Sequence, residues 1–233
     1  LRKLKVKKFF MIEIIPSVIP QNLNIVRERF GKILGLVKKV QLDVVDGNYA
    51  PSKTWPFNGN QFEEMMKIVR GEENFPYIED FVLEIDMLVL HPVEYISDFI
   101  SLGAKSFIIH IDSTDHIEEC LKTIKNANCE MGLGIKPSGD ISILESFLPE
   151  LDFVQFMGND RVGYNGVDLD ENVINIIKNF HENHSSVPIQ IDIGVNEKTI
   201  PILKDAGVFS FVSSSSIFNS LDVKEAISKL KDL

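Results

Sequence analysis

Short runs of β-branched and aromatic residues alternate with stretches of helical period along this chain, with no Pro/Gly/Ser linker and no low-complexity segment between them. Strands are predicted to begin near Ile12, Val40, Val82, Ser106, Met131, Phe153, Ile189 and Phe209. Between them, Leu23, Val26, Phe30, Ile33 and Val37 recur at the spacing of a single helix face. Val173, Ile176, Ile177 and Phe180 form a second such stripe, and Val223, Ala226, Ile227 and Leu230 a third. Eight βα units in 233 residues fit a single-domain α/β protein, a (β/α)8 TIM barrel, which closes its sheet and runs to about 250 residues. A doubly wound open sheet is the alternative. The steps after the second and sixth strands are longer than the rest, the extra length being Asp46 to Asn60 and Gly158 to Asp170. Long loops on the active face of a barrel are candidates for a lid or a substrate clamp, and Trp55 in the first of them either closes over a site or packs on the rim.

Composition narrows the class. At 44% hydrophobic and 25% charged residues the chain reads as an ordinary globular domain, large enough to fold without a metal or cross-link, so that any metal would be functional. Against 34 acidic residues stand 24 basic ones, a net charge of -10 with no basic stripe, which argues against a nucleic-acid surface. The one basic cluster, Arg2, Lys3, Lys5, Lys7 and Lys8, precedes an apolar run that Glu13 breaks far short of a membrane span or a secretory segment. Residues 1–10 are therefore expected to be an N-terminal basic extension and residues 11–233 the barrel. Cys120 and Cys129 form no CxxC and have no His at ligand spacing, which suits a reducing, cytoplasmic setting and gives no structural zinc. No nucleic acid and no membrane are expected as partners, and a homo-oligomer is compatible with the sequence.

In a barrel the chemistry gathers where each strand ends. The second strand ends Gln41-Leu42-Asp43-Val44-Val45, and a period of two sets Gln41, Asp43 and Val45 on one side, so that Asp43 points into the barrel mouth. The third strand carries Glu84-Ile85-Asp86, the seventh Gln190-Ile191-Asp192, and the first Ile15-Pro16-Ser17. A lone Asp at a strand end is most simply a turn or a cap; three acids at matching levels of one barrel point to a site, because a carboxylate in an apolar strand is costly unless paired or solvated. Asp46-Gly47 reads as a turn. The last strand runs into Ser213-Ser214-Ser215-Ser216, whose hydroxyls could cap a helix or whose N–H groups, with Gly194 one strand earlier, could cup a phosphate.

These residues resemble the ribulose-phosphate 3-epimerases from about Ile14 onward. The resemblance is carried by Pro16-Ser17-Val18, Leu42-Asp43-Val44-Val45-Asp46-Gly47 with Ala50-Pro51, His91-Pro92, Ala206-Gly207, and Val212 through Ile217-Phe218. It implies a metal-assisted barrel in which Asp43 and Asp192 exchange the C3 proton of a pentulose phosphate from opposite faces. It also implies a divalent metal, held by those aspartates and two histidines, that stabilises the enediolate, and a serine at Ser17 that touches substrate.

The histidines are absent. Gln41 and Asp86 stand in their places, Lys136 replaces the Asn of Asn-Pro, Asp-Gly-Gly becomes Asp192-Ile193-Gly194, and the glycine-rich sixth loop becomes Gly163-Tyr164-Asn165-Gly166 with one insertion. The Gly-Ser of the last strand becomes Ser214-Ser215. The expected substrate contacts are thus Ser17, Gly163, Gly166, Gly194, Ser214 and Ser215. The metal candidates are Gln41, Asp43, Asp86 and Asp192, an all-oxygen set suited to weakly held magnesium or manganese and not to zinc. Lys136 is expected among the acids as counter-charge and electrophile, or else in solvent. His110 is expected to be structural or to support the site from behind. The expected activity is 3-epimerisation of a ketose phosphate; the alternatives are an inactive sugar-phosphate-binding or scaffold barrel, and a related sugar-phosphate isomerase or lyase.

Overall fold

The computed structural model describes residues 12–233, so the expected extension lies outside the described residues. Strands β1 (Glu13–Val18), β2 (Lys39–Val45), β3 (Val82–Leu88), β4 (Ser106–His110), β5 (Glu130–Ile135), β6 (Phe153–Met157), β7 (Ile189–Asp192) and β8 (Ser210–Ser213) pair in chain order into a closed parallel barrel. Each begins within one residue of its expected start. Helices α1 (Leu23–Ile33), α2 (Gln61–Val69), α3 (Val93–Leu102), α4 (Ile117–Asn126), α5 (Ser142–Glu145), α6 (Asn172–Asn183), α7 (Thr199–Ala206), α8 (Ser215–Phe218) and α9 (Val223–Lys231) lie between or after them. Val37 falls outside α1, because the chain turns at Gly35 in the left-handed region. Among the described residues no helix is long and apolar enough to cross a membrane.

The period-two pattern decides which side chains face the helices. Leu42 and Val44 of β2, Leu83, Ile85 and Met87 of β3, Val154 and Phe156 of β6, and Ile189 and Ile191 of β7 all join the apolar shell between strands and helices. Their alternates point inward and are mostly polar. Gln41, Glu84, Ser106, Gln155 and Gln190 are all essentially buried. From β7, Gln190 Nε2 donates to Glu84 Oε1 on β3 at 2.8 Å, a contact that crosses the barrel because these strands are not neighbours. The same nitrogen lies 2.8 Å from Gln155 Oε1 and 3.5 Å from Gln41 Oε1.

Barrel interiors are commonly filled by branched apolar residues, so this hydrogen-bonded floor is a departure. Its charge is compensated: Glu84 Oε2 accepts from Ser106 Oγ at 2.7 Å and from Lys39 Nζ at 3.2 Å, and Lys39 also reaches Glu130 at 2.9 Å. Burial alone would lower the Lys39 pKa, but the carboxylates of Glu84 and Glu130 outweigh it and raise that value.

The long loop after β2 is pinned from within. The Asp46 carboxylate accepts from the amides of Asn48, Tyr49 and Leu90 at 2.8, 3.0 and 3.0 Å, which makes Asp46-Gly47 the turn its sequence suggests. Trp55 packs and does not form a lid: it is fully buried, its ring lies 5.8 Å from Phe75, and its Nε1 donates to Glu64 Oε2 at 2.8 Å.

Candidate active site at the carboxyl ends of the strands

One cavity opens at the rim where β1, β2, β7 and β8 end, and Ser17, Asp43, Gly163, Gly166, Asp192, Gly194, Ser214 and Ser215 all line it. Asp43 lies on its floor, buried, and accepts from Gln41 Nε2 at 2.8 Å. Asp192 ends β7 and accepts from the amide of Ile193 at 2.7 Å.

The turn that follows is tightly built. Ile193 holds φ +77° and Gly194 φ +75°, so two consecutive residues occupy the left-handed region. A β-branched residue there costs on the order of 1–2 kcal/mol, and the surrounding chain must hold it. Gly194 is required twice over, by its φ and because a Cβ would lie 2.6 Å from the Leu169 amide of the loop after β6. Ser52 Oγ donates to Gly163 O at 2.9 Å and joins the two long loops.

Gly194, Val195 and Ser213 to Ser216 also line the cavity, with small side chains and hydroxyls. Ser213 Oγ and Ser216 Oγ donate to Val195 O at 3.3 and 2.9 Å, and Thr199 Oγ1 donates to Gly194 O at 2.7 Å, so the last two loops brace one another. Neither Lys nor Arg lines the cavity among the described residues. An anion bound there would rest on N–H and O–H groups alone.

The two aspartates titrate together. Burial first, then the charges of Asp192 and Asp86, push the Asp43 carboxyl well above the usual carboxylate range, against the opposing hydrogen bond from Gln41. Burial and the Asp86 charge push Asp192 up to about 8, opposed by the Ile193 N–H. Near neutral pH the pair therefore retains at least one proton.

The expected metal set does not come together. Gln41 turns its nitrogen, not its oxygen, toward Asp43, while its oxygen faces Gln190. Both oxygens of Asp86 are engaged, Oδ1 by His110 Nε2 at 2.7 Å and Oδ2 by Gln155 Nε2 at 3.2 Å. Neither Gln41 nor Asp86 lines the cavity, and among the described residues no three His, Cys, Asp or Glu side chains are grouped to hold a metal. The residues present do not fit the divalent metal that the resemblance implies.

Lys136 stands neither among the acids of the cavity nor free in solvent, the two places expected for it. Its Nζ sits 2.7 Å from Asp112 Oδ2 and 4.6 Å from the centre of the Tyr49 ring. The Tyr49 hydroxyl donates to Asp112 Oδ1 at 2.6 Å, and its ring lies 5.3 Å from that of His110. Burial raises the Asp112 pKa, but Lys136 and the Tyr49 hydroxyl outweigh it and hold the carboxyl below its ordinary value. The lysine's counter-charge is thus spent on Asp112.

Sequence reasoning missed the floor residues Glu84, Gln155 and Gln190 and the Tyr49–Asp112–Lys136 cluster. The signal for the floor was present: Gln41-Leu42-Asp43, Glu84-Ile85-Asp86 and Gln190-Ile191-Asp192 repeat one pattern, polar then apolar then acid.

A closed parallel barrel with acids from β2 and β7 meeting at the carboxyl rim defines the class, a (β/α)8 barrel with its site where such barrels carry one. Within it, the chain belongs to the ribulose-phosphate 3 epimerase family, whose model matches residues 13–218. It is 24% identical over 227 residues to the ribulose-phosphate 3-epimerase of Bacillus subtilis (strain 168), covering 95% of this chain and 99% of that one. To the enzyme of the same name from Chlamydia pneumoniae it is 27% identical over 201 residues, with 82% of each chain covered. Among solved structures it superposes on KGPDC from Streptococcus mutans at a TM-score of 0.69 and 13% identity, covering 95% of this chain and 96% of that one. A 3-hexulose-6-phosphate synthase superposes at a TM-score of 0.66 and 17% identity, covering 95% and 99%. These structural likenesses show the fold.

Proposed function

We propose that this chain inverts the configuration at a carbon next to the carbonyl of a ketose phosphate, as a 3-epimerase of a pentulose phosphate, with Asp43 and Asp192 as its acid and base. The observation that carries the reading is that two carboxyls, from β2 and β7, share a cavity with Gly194 of the loop after β7 and Ser214 and Ser215 of the loop after β8. Epimerisation needs a base on one face of the substrate and a proton donor on the other. Two neighbouring acids, both pushed up by burial and like charge, supply the proton donor in the protonated form and the base when one of them has ionised, and the roles exchange for the reverse reaction. Ser17, Gly163 and Gly166 are proposed to contact the substrate, and Gly194, Ser214 and Ser215 of the last two loops to hold its phosphate. The test is incubation with ribulose 5-phosphate in deuterated water: deuterium at C3 is expected, and none across a panel of ketose phosphates would overturn the reading.

The engagement of Asp86 by His110 and Gln155 favours a second reading, a barrel that binds a sugar phosphate without turning it over. A ligand-dependent rise in Tm with no exchange in that panel would select it. Turnover of another sugar phosphate in the panel would instead select a related isomerase or lyase; proteins of the same fold include a 3-hexulose-6-phosphate synthase and a 3-keto-L-gulonate-6-phosphate decarboxylase.

A further inference from the structure

The mouth of this barrel has a second buried acid that the proposed proton exchange does not use. Asp86 stands directly beside Asp43 in the register of β2 and β3, yet it turns to β4 and β6. His110 Nε2 and Gln155 Nε2 together occupy both its oxygens, and Asp86, His110 and Gln155 are all fully buried. We propose that the Asp86–His110 pair, braced by Gln155 and roofed by Tyr49, fills the corner a metal would need and closes this site to divalent cations.

The geometry argues each part. A cation that took Asp86 as ligand would have to compete with two donors, His110 Nε2 and Gln155 Nε2, in a place that water does not reach, and each hydrogen bond it weakened would cost free energy. His110 cannot change sides and become the ligand itself. Its Nε2 is spent on Asp86, and its Nδ1, which has no hydrogen-bond partner among the described residues, lies against the backbone of β5. There Gly134 makes the fit possible: a Cβ at that position would stand 2.8 Å from both Nδ1 and Cε1 of the ring.

Above, the ring is covered by Tyr49, which Asp112 and Lys136 hold in place. With Gln41 presenting its nitrogen, only Asp43 and Asp192 of the four candidate ligands remain to a cation, and water would have to supply most of the coordination shell of a hard divalent ion. Where the resemblance implied a metal ligand, the chain has built an internal hydrogen-bonded pair.

The proposal concerns the same site as the epimerase reading, but it is read by metal binding and so fails or holds whether or not any sugar phosphate is turned over. The experiment measures the metal content of the purified chain, then titrates it with Mn²⁺ alone and with Zn²⁺ alone, following free Mn²⁺ by paramagnetic resonance and Tm with and without a chelator. Substoichiometric metal, no saturable binding in the micromolar range and a Tm unmoved by chelation are expected. Two variants separate the pair's role from simple absence of ligands. His110→Phe keeps a ring under Tyr49 and removes the donor, which frees a carboxylate oxygen, and it is expected to tighten Mn²⁺ binding about tenfold or more, the worth of one hydrogen bond to a charged group. His110→Gln retains an N–H donor toward Asp86 and is expected to behave as the unaltered chain. Stoichiometric metal lost on Asp43→Asn would overturn the proposal, as would a folded His110→Phe that gains nothing. If His110→Phe does not fold, Gln155→Leu removes the other donor and the same gain is required of it.

Discussion

The raised pKa values of Asp43 and Asp192 make stability depend on pH in a direction opposite to that of most carboxylates. A carboxyl whose pKa is raised in the folded state holds a proton that the unfolded chain has released, so its contribution is fully present below the unfolded value near 4. It is lost as pH rises through the folded value, about 8 for Asp192. One extra proton bound by the native state lowers stability by about 1.4 kcal/mol for each pH unit in that window, or roughly 4 kcal/mol between pH 5 and pH 8. This is an upper limit, because Asp192 opens onto the cavity and solvent screens part of the repulsion. Asp192→Asn is nearly isosteric and removes both the titrating group and its charge against Asp43. Urea unfolding of both chains at constant ionic strength, at half-unit steps from pH 5 to pH 8, gives the comparison. The wild-type chain is expected to lose stability relative to Asp192→Asn steadily as pH rises. Parallel curves across the window would refute the reasoning, since they would mean that Asp192 is as ionised in the fold as out of it.

Other consequences follow from the charges placed around the barrel. Lys39→Met strands Glu84 in the interior and is expected to cost about 3–5 kcal/mol in chemical denaturation, and Glu84→Gln in the same chain is expected to recover most of it. Lys136→Ala breaks a pair with half-exposed Asp112 and is expected to cost less than about 1 kcal/mol, where a counter-ion for the buried acids would cost several times more. Ser214→Asp or Ser215→Asp puts a carboxylate beside the amides proposed to hold phosphate and is expected to abolish sugar-phosphate binding by calorimetry; unchanged affinity would remove that cup.

The fold was legible because period-two strands and period-3.6 helices alternate cleanly, and each strand start lies within one residue of where the apolar runs begin. Much of the candidate site was legible for the same reason: Ser17, Asp43 and Asp192 stand where inward positions reach the rim, and the turns at Gly163, Gly166 and Gly194 announce themselves by residue type. What stayed hidden depends on contacts across the barrel. Nothing in Gln190 or Gln155 taken alone says that they meet Glu84 and Asp86 from other strands. Lys136 was placed by strand order, which puts it at the mouth, but a long flexible side chain goes to the carboxylate it can reach with least desolvation, and Asp112 is half exposed. Trp55 reads equally as lid or core until the partner of its indole N–H, Glu64, is known.

The most direct test of the central claim follows the fate of the C3 proton on each face. At early conversion of ribulose 5-phosphate in deuterated water, two-aspartate exchange predicts deuterium at C3 of the epimeric product while recovered substrate remains largely protiated. Asp43→Asn and Asp192→Asn should each stop interconversion. Equal labelling of substrate and product from the first time point, or epimerisation that survives the loss of either aspartate, would contradict the account.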